Sequence, residues 1–471
     1  MTGVSTHAAG VFDSVAEAIG HTPLVRLNRV VDDIRATVYV KLEYLNPGGS
    51  VKDRAALGML LAAEQAGELR PGGTVVEASS GNTGLGLAAL AAARGYRTIV
   101  VVPDRVSAEK KALLRAHGAE VHETPGLRPV DHPEHLRSVA LRLTAEIPGA
   151  WFAGQYDNPA NPAAHRATTG PEIWEQTGRR VTHFVAGIGT GGTITGTGEY
   201  LKEASGGTVR VIGADPVTSV YGGGDGRIWY VEAVGHFRHP ETAVDEWPES
   251  YHPEVVDRIE RIPDVEAIRI LLRVAREEGL LLGGSSGTAI AAALRTARAL
   301  GPEDVVVVIA PDSGRAYLSK YYNDEWLGSL GFPLTTAATG VAVGAVLSDL
   351  ERDANLAAVP SGTTVGQARA LLGESDALPV VLQRPASGPT VVAEILGAVT
   401  AADLADAPET DTVSEHLGTP LPFVGTTEPL AQAVSRIAGR PGPVVLAHEG
   451  RAIAVIDATR LTDYTEQEET Q

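Results

Sequence analysis

Short apolar runs alternate with helix-length stretches between about residues 37 and 312. The runs are rich in β-branched residues, and the stretches between them are rich in alanine and leucine. Short strands separated by helices are typical of parallel β/α units that are buried on both faces. The pattern therefore predicts an α/β fold, with strands at Thr74–Val76, Thr98–Val102, His183–Val185, Val209–Ile212 and Val305–Ile309.

Start and stop signals place two of the helices. Ser107 precedes the run Glu109–His117, and Gly118 follows that run. Gly95 follows a second run, Thr83–Arg94. Because hydroxyl side chains cap helix starts and glycine favours helix ends, both runs are predicted to be helical.

The pattern changes near Trp326–Pro333, where an acidic remainder rich in alanine, valine and threonine begins. Two stretches, which begin at Val359 and Phe423, each carry a helical run and apolar strands. A repeat of roughly 60 residues indicates two small modules packed together. We therefore expect a first domain over residues 1–330, a linker over 331–340 and a C-terminal domain over 341–471, with modules at about 341–405 and 411–465.

Composition narrows the classes of function. The 39 basic and 58 acidic residues give a formal net charge of −19, so no nucleic-acid partner is expected. The absence of cysteine excludes disulfides and thiolate-bound haem, and no metal site is expected. The N-terminus lacks the pattern of a secretory signal, and no apolar run is long enough to span a bilayer. We therefore expect a cytoplasmic protein with no membrane partner.

Two motifs indicate a reactive lysine next to an anion site. In NPGGSVKDR, which ends at Arg54, Lys52 is predicted to lie at a helix N-terminus, where the helix dipole disfavours its charge. A neutral lysine can form a Schiff base. In EASSGNTG, which ends at Gly84, hydroxyls, an amide and backbone N–H groups meet at a helix start, which suits an anion.

A glycine-rich loop, GIGTGGT, follows the strand that ends at Val185. Backbone N–H groups in such a loop can bind a phosphate group. The same glycines match the G-x-G-x-x-G pattern, and Asp215 follows at about the distance of a ribose-binding acid. By pattern alone, a nicotinamide dinucleotide fits this loop as well as a phosphorylated cofactor does.

The sequence GGSSG, with Ser285 at its centre, matches the G-x-S-x-G pattern of hydrolase nucleophiles. A hydrolase with Asp312 as its acid would also need a histidine further along the chain. The later histidines, His416 and His448, fall in the C-terminal modules, which disfavours this interpretation.

One hypothesis uses all four motifs, namely pyridoxal phosphate held by Lys52. Gly189–Thr193 would bind the phosphate, Asn82 the ring hydroxyl and Ser285 the pyridine nitrogen. A hydroxyl cannot keep that nitrogen protonated, so the ring is a weaker electron sink. This arrangement favours loss of a β-substituent to give an aminoacrylate, which a nucleophile then attacks.

Six stretches together resemble the fold-type II pyridoxal-phosphate family of cysteine synthases and cystathionine β-synthases: IGHTPLVRLN, NPGGSVKDR, EASSGNTG, QYDNPANPAAH, GIGTGGTITG and GGSSG. The stretch from Pro311 to Asp324 is similar to the cystathionine β-synthase branch, and the C-terminal repeats resemble a tandem CBS-domain (Bateman) pair. The resemblance implies two α/β subdomains, as in tryptophan synthase β, with a smaller mobile one at about 50–150. It also implies a homodimer or higher homo-oligomer.

The resemblance implies roles for individual residues. It makes Lys52 the Schiff-base lysine and proton carrier, with cofactor contacts from Asn82, Gly189, Thr190, Gly191, Gly192, Thr193 and Ser285. It assigns the substrate carboxylate to Ser79, Ser80, Thr83 and Gln155. Thr400 and Asp403 keep a G-x-V-T-x-x-D pattern that implies an adenosyl ligand, either S-adenosylmethionine or an adenine nucleotide; the second repeat has Asp457 and Arg460 there.

One loop departs from the family pattern. Family members carry a VEGIG-type loop, whereas this chain has VEAVG at 231–235, followed by His236, Arg238 and His239. We hypothesise that these side chains bring positive charge towards an anionic second substrate.

The motifs and the resemblance together imply a lyase of cysteine biosynthesis and transsulfuration that condenses L-serine with L-homocysteine to L-cystathionine. The nearest alternative is a cysteine synthase that joins O-acetylserine, or another activated serine, to sulfide. A serine/threonine dehydratase and a nicotinamide dehydrogenase are further alternatives. An adenylate sensor with a vestigial catalytic half is disfavoured by the intact set of Lys52, Asn82 and Ser285.

Overall fold

The computed structural model describes residues 10–79, 81–242, 245–335, 340–347, 356–372, 377–384, 388–439 and 442–468. The chain divides into two units. Unit 1 runs to Gly226 and resumes from Val231 to Tyr317, and unit 2 comprises Arg227–Tyr230 and the chain from Leu318 onwards. The predicted bounds of the domains and the linker stay predictions.

Strands and helices alternate along unit 1. Its strands are β1 (Leu24–Arg26), β2 (Thr37–Leu42), β3 (Thr74–Ala78), β4 (Arg97–Pro103), β5 (Glu120–Thr124), β6 (Ala150–Phe152), β7 (His183–Gly187), β8 (Arg210–Pro216), β9 (Arg258–Ile262) and β10 (Val305–Ala310). Its helices are α1 (Lys52–Ala66), α2 (Asn82–Arg94), α3 (Ala108–Ala116), α4 (Leu136–Glu146), α5 (Ala160–Ala167), α6 (Thr169–Gln176), α7 (Gly192–Ala204), α8 (Asp264–Arg273) and α9 (Gly284–Ala297).

Two sheets organise unit 1. The larger has the order β1-β2-β10-β7-β8-β9, in which β1 and β2 are antiparallel and the other pairs are parallel. The smaller has the order β5-β4-β3-β6 and is parallel throughout. Every residue of β3 and β10 is buried, as expected for central strands covered on both faces. The predicted α/β fold and its five strands are confirmed.

The predicted capping of two helices is also confirmed. Ser107 accepts a hydrogen bond from Lys110 N at the start of α3. Gly95 ends α2 with a φ of 76°, a left-handed conformation that glycine adopts without strain.

Unit 2 contains two sheets with the same topology. Its strands are β11 (Val359–Pro360), β12 (Ala377–Val381), β13 (Ile395–Thr400), β14 (Phe423–Gly425), β15 (Pro443–His448) and β16 (Arg451–Asp457). Its helices are α10 (Asp324–Ser329), α11 (Val343–Leu347), α12 (Val365–Leu372), α13 (Leu430–Ile437) and α14 (Thr459–Glu468). The orders are β11-β12-β13 and β14-β15-β16, each with one parallel pair followed by one antiparallel pair. The internal repeat that the sequence predicts is therefore present in the strand topology.

No helix in the described part of the chain is both long and apolar enough to cross a membrane.

Candidate active site

One pocket in unit 1 brings together the predicted lysine, the amide and the glycine-rich loop. Its wall is formed by Val51, Lys52, Asn82, Ala186, Gly187, Gly189, Thr190, Gly191, Thr193, Ala233, Ile309 and Pro311. Helices α1, α2 and α7 begin at or beside this wall, after the carboxyl ends of strands, where α/β proteins commonly bind ligands. Motifs that lie far apart in the sequence thus meet in one place.

Lys52 is the first residue of α1. Burial lowers the pKa of Lys52 to about 8, an effect that the charges of Glu77 and Asp312 partly oppose. Its Nζ has no hydrogen-bond or ion-pair partner among the described residues. By contrast, Lys41 Nζ lies 2.7 Å from Glu172 and Lys110 Nζ lies 3.4 Å from Glu232. Lys52 is half-buried in the pocket wall and is therefore available for a ligand.

The turn before Lys52 is fixed by its neighbours. Gly48 N donates to Asp53 Oδ2 at 2.6 Å, and a Cβ on Gly48 would come within 2.5 Å of Asp53 Oδ1. Val51 N donates to Pro311 O at 2.8 Å, which ties the turn to the end of β10. A side chain at position 48 would therefore have to displace the Asp53 carboxylate that closes this turn.

Asn82 begins α2 and is 7% exposed. Its Nδ2 donates to Asp312 Oδ2 at 2.7 Å, and Tyr317 donates its hydroxyl to the same oxygen at 2.5 Å. Burial raises the pKa of Asp312, while the nearby Lys110 charge and the two hydrogen bonds act in the opposite direction. The sequence patterns did not identify this contact between Asp312 and Asn82, because the two residues are 230 positions apart.

The glycine-rich loop is packed so closely that side chains are excluded at two positions. A Cβ on Gly191 would approach Tyr251 to 2.3 Å, and one on Gly192 would approach Asn161 Oδ1 to 2.1 Å. Tyr221 donates its hydroxyl to Gly189 O at 2.8 Å. The loop leads directly into α7, so it offers the N–H groups of a helix start, which fit a phosphate.

Ser285 lies in the first turn of α9 and is 1% exposed. Its Oγ has no hydrogen-bond partner in the described part of the chain. Because a buried hydroxyl is normally paired, this atom fits a cofactor that would supply the partner, as a pyridine nitrogen does. Ser285 is not among the residues of the pocket wall given above.

Three of the four predicted carboxylate-binding residues surround the start of α2. Thr83 Oγ1 donates to Gln155 Oε1 at 2.5 Å, and Ser79 Oγ accepts from Gly81 N at 3.0 Å. Ser80 lies outside the described residues. The structure thus joins Thr83 to Gln155, whereas their role towards a substrate stays a prediction.

Asp215 does not fit the dinucleotide interpretation. It is fully buried, and its Oδ2 accepts a hydrogen bond from Gly222 N at 2.8 Å. Burial raises the pKa of Asp215 to about 7. A ribose-binding acid must be accessible and charged, and Asp215 instead closes a turn of its own chain.

The unusual loop carries strain and an internal charge pair. Ala233 has a φ of 64°, a region that favours glycine, the residue of the family pattern. His236 Nε2 lies 2.8 Å from Asp245 Oδ1, so a carboxylate faces this imidazole. His239 is 5% exposed, and its Nδ1 accepts from Glu241 N. That these side chains favour an anionic substrate stays a prediction.

The two motif residues in unit 2 bind each other. Thr400 donates to Asp403 Oδ2 through its N at 2.8 Å and through its Oγ1 at 2.7 Å. In the second repeat, Thr459 donates to Asp457 Oδ1 through its N and its Oγ1, each at 2.8 Å, so the bonds there run between different positions of the motif. Binding of a nucleotide at Thr400 and Asp403 stays a prediction.

A family model described as pyridoxal-phosphate dependent enzyme matches residues 15–312. The chain belongs to this family. Unpaired Lys52, the glycine-rich loop and the unpaired Ser285 hydroxyl fit the pyridoxal phosphate on which the family depends.

Two relatives illustrate the range of similar proteins. The chain is 41% identical over 324 residues to a cystathionine β-synthase of Apis mellifera, a match that covers 68% of this chain and 64% of that protein. It is 47% identical over 318 residues to a probable cysteine synthase of Bacillus subtilis (strain 168), covering 66% of this chain and 97% of that one. The match thus spans less than two thirds of the honeybee protein.

Solved structures show the same fold. An O-acetylserine dependent cystathionine β-synthase of Helicobacter pylori is 36% identical, with a TM-score of 0.61, over 66% of this chain and 98% of that chain. An O-ureido-L-serine synthase is 40% identical, with a TM-score of 0.59, over 66% of this chain and 94% of its own. The fold-type II architecture is confirmed, and the chain is a pyridoxal-phosphate enzyme of the β-replacing group.

Proposed function

We propose that this chain condenses L-serine with L-homocysteine to give L-cystathionine. The observation that carries the proposal is Lys52, half-buried in the pocket wall with its pKa lowered to about 8 and without a partner among the described side chains. A lysine poised in this way can both hold an aldehyde and move a proton near neutral pH.

Lys52 has two tasks in the proposed reaction. Bound pyridoxal phosphate would accept the electron density that the α-carbon releases when its proton leaves. Lys52, freed when serine binds, removes that proton and then gives a proton to the departing β-hydroxyl, which leaves as water. Lys52 then takes the proton of the homocysteine thiol, whose sulfur forms the new C–S bond at the β-carbon, and Lys52 passes that proton to the α-carbon.

The other residues hold the reacting groups in place. Asn82 would bind the ring hydroxyl, Gly189–Thr193 the phosphate, and Ser285 the ring nitrogen as a neutral hydroxyl. Thr83 and Gln155, already joined by a hydrogen bond, would bind the substrate carboxylate together with Ser79 and Ser80.

Cysteine synthesis from O-acetylserine and sulfide is the second candidate. It is favoured by the probable cysteine synthase of Bacillus subtilis, which is 47% identical to this chain. The name of the Helicobacter pylori structure joins O-acetylserine to cystathionine formation, so leaving group and nucleophile need separate tests. Both reactions use the same lysine to remove the α-proton.

Unit 2 supports a proposal about regulation. Its two sheets of equal topology and the Thr400–Asp403 pair favour a tandem CBS-domain pair that binds an adenosyl nucleotide in its first repeat. We also propose that the enzyme is a cytoplasmic homodimer, as its resemblance to the family implies.

A four-way assay tests the reaction. Serine and O-acetylserine are each offered with homocysteine and with sulfide, and cystathionine and cysteine are measured by mass spectrometry. We expect the highest kcat/KM for serine with homocysteine, and loss of all four activities in Lys52→Ala. Cysteine formation from O-acetylserine and sulfide, without cystathionine from any pair, would replace the first candidate by the second.

A further inference from the structure

Three charged side chains beside Asn82 have no task in the reaction described above. Asp312 follows β10, Lys110 lies in α3, and Glu232 belongs to the loop that contains Ala233. Asp312 is 2% exposed and Lys110 is fully buried. Burying charges is costly unless they are paired, so this group requires a physical reason.

Asp312 receives two hydrogen bonds on one oxygen. Asn82 Nδ2 donates to Oδ2 at 2.7 Å, and the Tyr317 hydroxyl donates to the same atom at 2.5 Å. A carboxylate accepts hydrogen bonds and donates none, so its amide partner must present nitrogen rather than oxygen. Asp312 thus selects one of the two orientations of the Asn82 amide.

The orientation of the Asn82 amide decides whether its nitrogen or its oxygen faces the pocket. An amide nitrogen carries two hydrogens, and Asp312 takes one of them. The second N–H is left for a ligand, and Asn82 lines the pocket wall. Since the terminal torsion of asparagine is roughly two-fold, the flipped amide would instead offer its carbonyl oxygen, which repels an anionic ring oxygen.

Lys110 is placed to compensate the carboxylate. Its Nζ lies 4.4 Å from the centre of the Tyr317 ring and 3.4 Å from Glu232 Oε2, and its charge opposes the rise in the pKa of Asp312. Its stem passes beside Gly81, where a Cβ would come within 2.8 Å of Lys110 Cδ. The absence of a side chain at Gly81 leaves room for the Lys110 stem, whose ammonium group reaches Glu232.

We propose that Asp312 is a positioning residue that turns the N–H of Asn82 towards the cofactor's ring hydroxyl, with Lys110 as its counter-charge. The inference deepens the proposed function and rests on it for the cofactor-binding role of Asn82.

The test compares cofactor affinity in four proteins: the wild type, Asp312→Asn, Asn82→Ala and the double variant. The affinity of each apo protein for pyridoxal phosphate is measured by fluorescence titration. Because a hydrogen bond to a charged group contributes about a tenfold change in an equilibrium, Asp312→Asn should bind about tenfold more weakly. In the Asn82→Ala background the same substitution should change the affinity little, because Asp312 acts through Asn82.

A spectroscopic reading separates this role from general packing. A carboxylate near the bound cofactor stabilises its protonated form, so removing the charge should lower the pH midpoint of the visible absorption band. An unchanged affinity and midpoint in a folded Asp312→Asn protein would overturn the proposal. An undiminished effect in the Asn82→Ala background would also overturn it.

A second variant keeps the test decisive if Asp312→Asn does not fold. Lys110→Met retains most of the stem and removes the charge, so the pKa of Asp312 should rise. Cofactor affinity should then fall at a higher pH on acidification than in the wild type. Lys111→Met is the matched control, because Lys111 pairs with Glu123 instead. Equal pH profiles for the two lysine variants would contradict the proposal.

These outcomes are distinct from failure of the proposed reaction. If the wild type binds pyridoxal phosphate but makes neither cystathionine nor cysteine, the reaction is overturned. The affinities and absorption midpoints would still decide the role of Asp312.

Discussion

Burial controls the titration of Glu77, one of two acids whose charges raise the pKa of the reactive Lys52. Glu77 is fully buried, its Oε2 accepts from Gly154 N at 2.9 Å, and burial raises the pKa of Glu77 to about 8. The folded apo protein therefore keeps a proton that the unfolded chain loses above its ordinary value of 4.5. Between these two values the free energy of unfolding falls as the pH rises.

Glu77→Gln should remove this dependence. A glutamine keeps the oxygen that accepts from Gly154 but does not titrate. The free energy of unfolding of the apo variant, relative to that of the wild type, should therefore rise between pH 5.5 and pH 8. The gain should exceed about 1 kcal/mol, since one pKa unit corresponds to about 1.4 kcal/mol. Urea unfolding at the two pH values measures it.

Glu64→Gln is the control, and its stability relative to the wild type should change with pH in the opposite direction. Arg94 lowers the pKa of Glu64, so Glu64→Gln should lose stability relative to the wild type as the pH rises through the acid range. If Glu77→Gln and the wild type respond equally to pH, Glu77 does not titrate as described.

Single residues differ in how well the sequence reveals them. The sequence predicts roles for Lys52, Asn82 and the glycine-rich loop because each lies in a short motif at a helix start. In such a motif, the residue types alone indicate the chemistry. Asp312 was considered only as a hydrolase acid, and Lys110 was not singled out. Their contacts with Asn82 and Glu232 join segments that only the folded chain brings together.

At the scale of elements, the four-residue segment Arg227–Tyr230 belongs to unit 2 and makes several polar contacts within it. Arg227 Nη1 lies 3.3 Å from Glu394 Oε2, and Arg384 Nε donates to Glu394 Oε1 at 3.0 Å. Tyr230 donates its hydroxyl to Gly450 O at 2.8 Å. Glu394 is 2% exposed, so this carboxylate compensates two arginines in a buried setting.

Glu394→Gln should destabilise unit 2. The substitution leaves the charges of Arg227 and Arg384 buried without their carboxylate, and breaking a buried ion pair costs about 3–5 kcal/mol. Thermal unfolding followed by circular dichroism should show the loss. Glu409→Gln, an exposed position of the same unit, is the control and should change little. If the two variants unfold at the same temperature, the buried ion pairs of Glu394 do not stabilise unit 2.

Element prediction succeeded where burial leaves a strong pattern. The buried strand β10 is an uninterrupted apolar run, β3 contains the β-branched run Thr74–Val76, and Gly95 ends α2 through a local turn. The edge strands β5 and β9 were missed, because each has charged residues and only one fully buried position. Edge strands need not be apolar, so their sequences give no such signal.

At the scale of the whole molecule, the catalytic core was recognisable and the internal repeat was visible. Motifs from several parts of unit 1 predicted a single site, and the pocket wall contains Lys52, Asn82 and most of the phosphate loop. The sequence could not place Ser285 relative to that wall. Leaving-group and nucleophile preferences depend on loop shape, such as the left-handed Ala233, and not on the motifs.

The central claim is that Lys52 carries the cofactor, and covalent mapping tests it most directly. The chain has six lysines, of which Lys41 and Lys110 are fully buried and paired with carboxylates. Borohydride reduction of the yellow holoenzyme, followed by digestion and mass spectrometry, identifies the modified residue. We expect a pyridoxyl group on Lys52 alone, and neither label nor visible absorption in Lys52→Ala. A pyridoxyl group on Lys41 or Lys110, or full absorption in that variant, would contradict it.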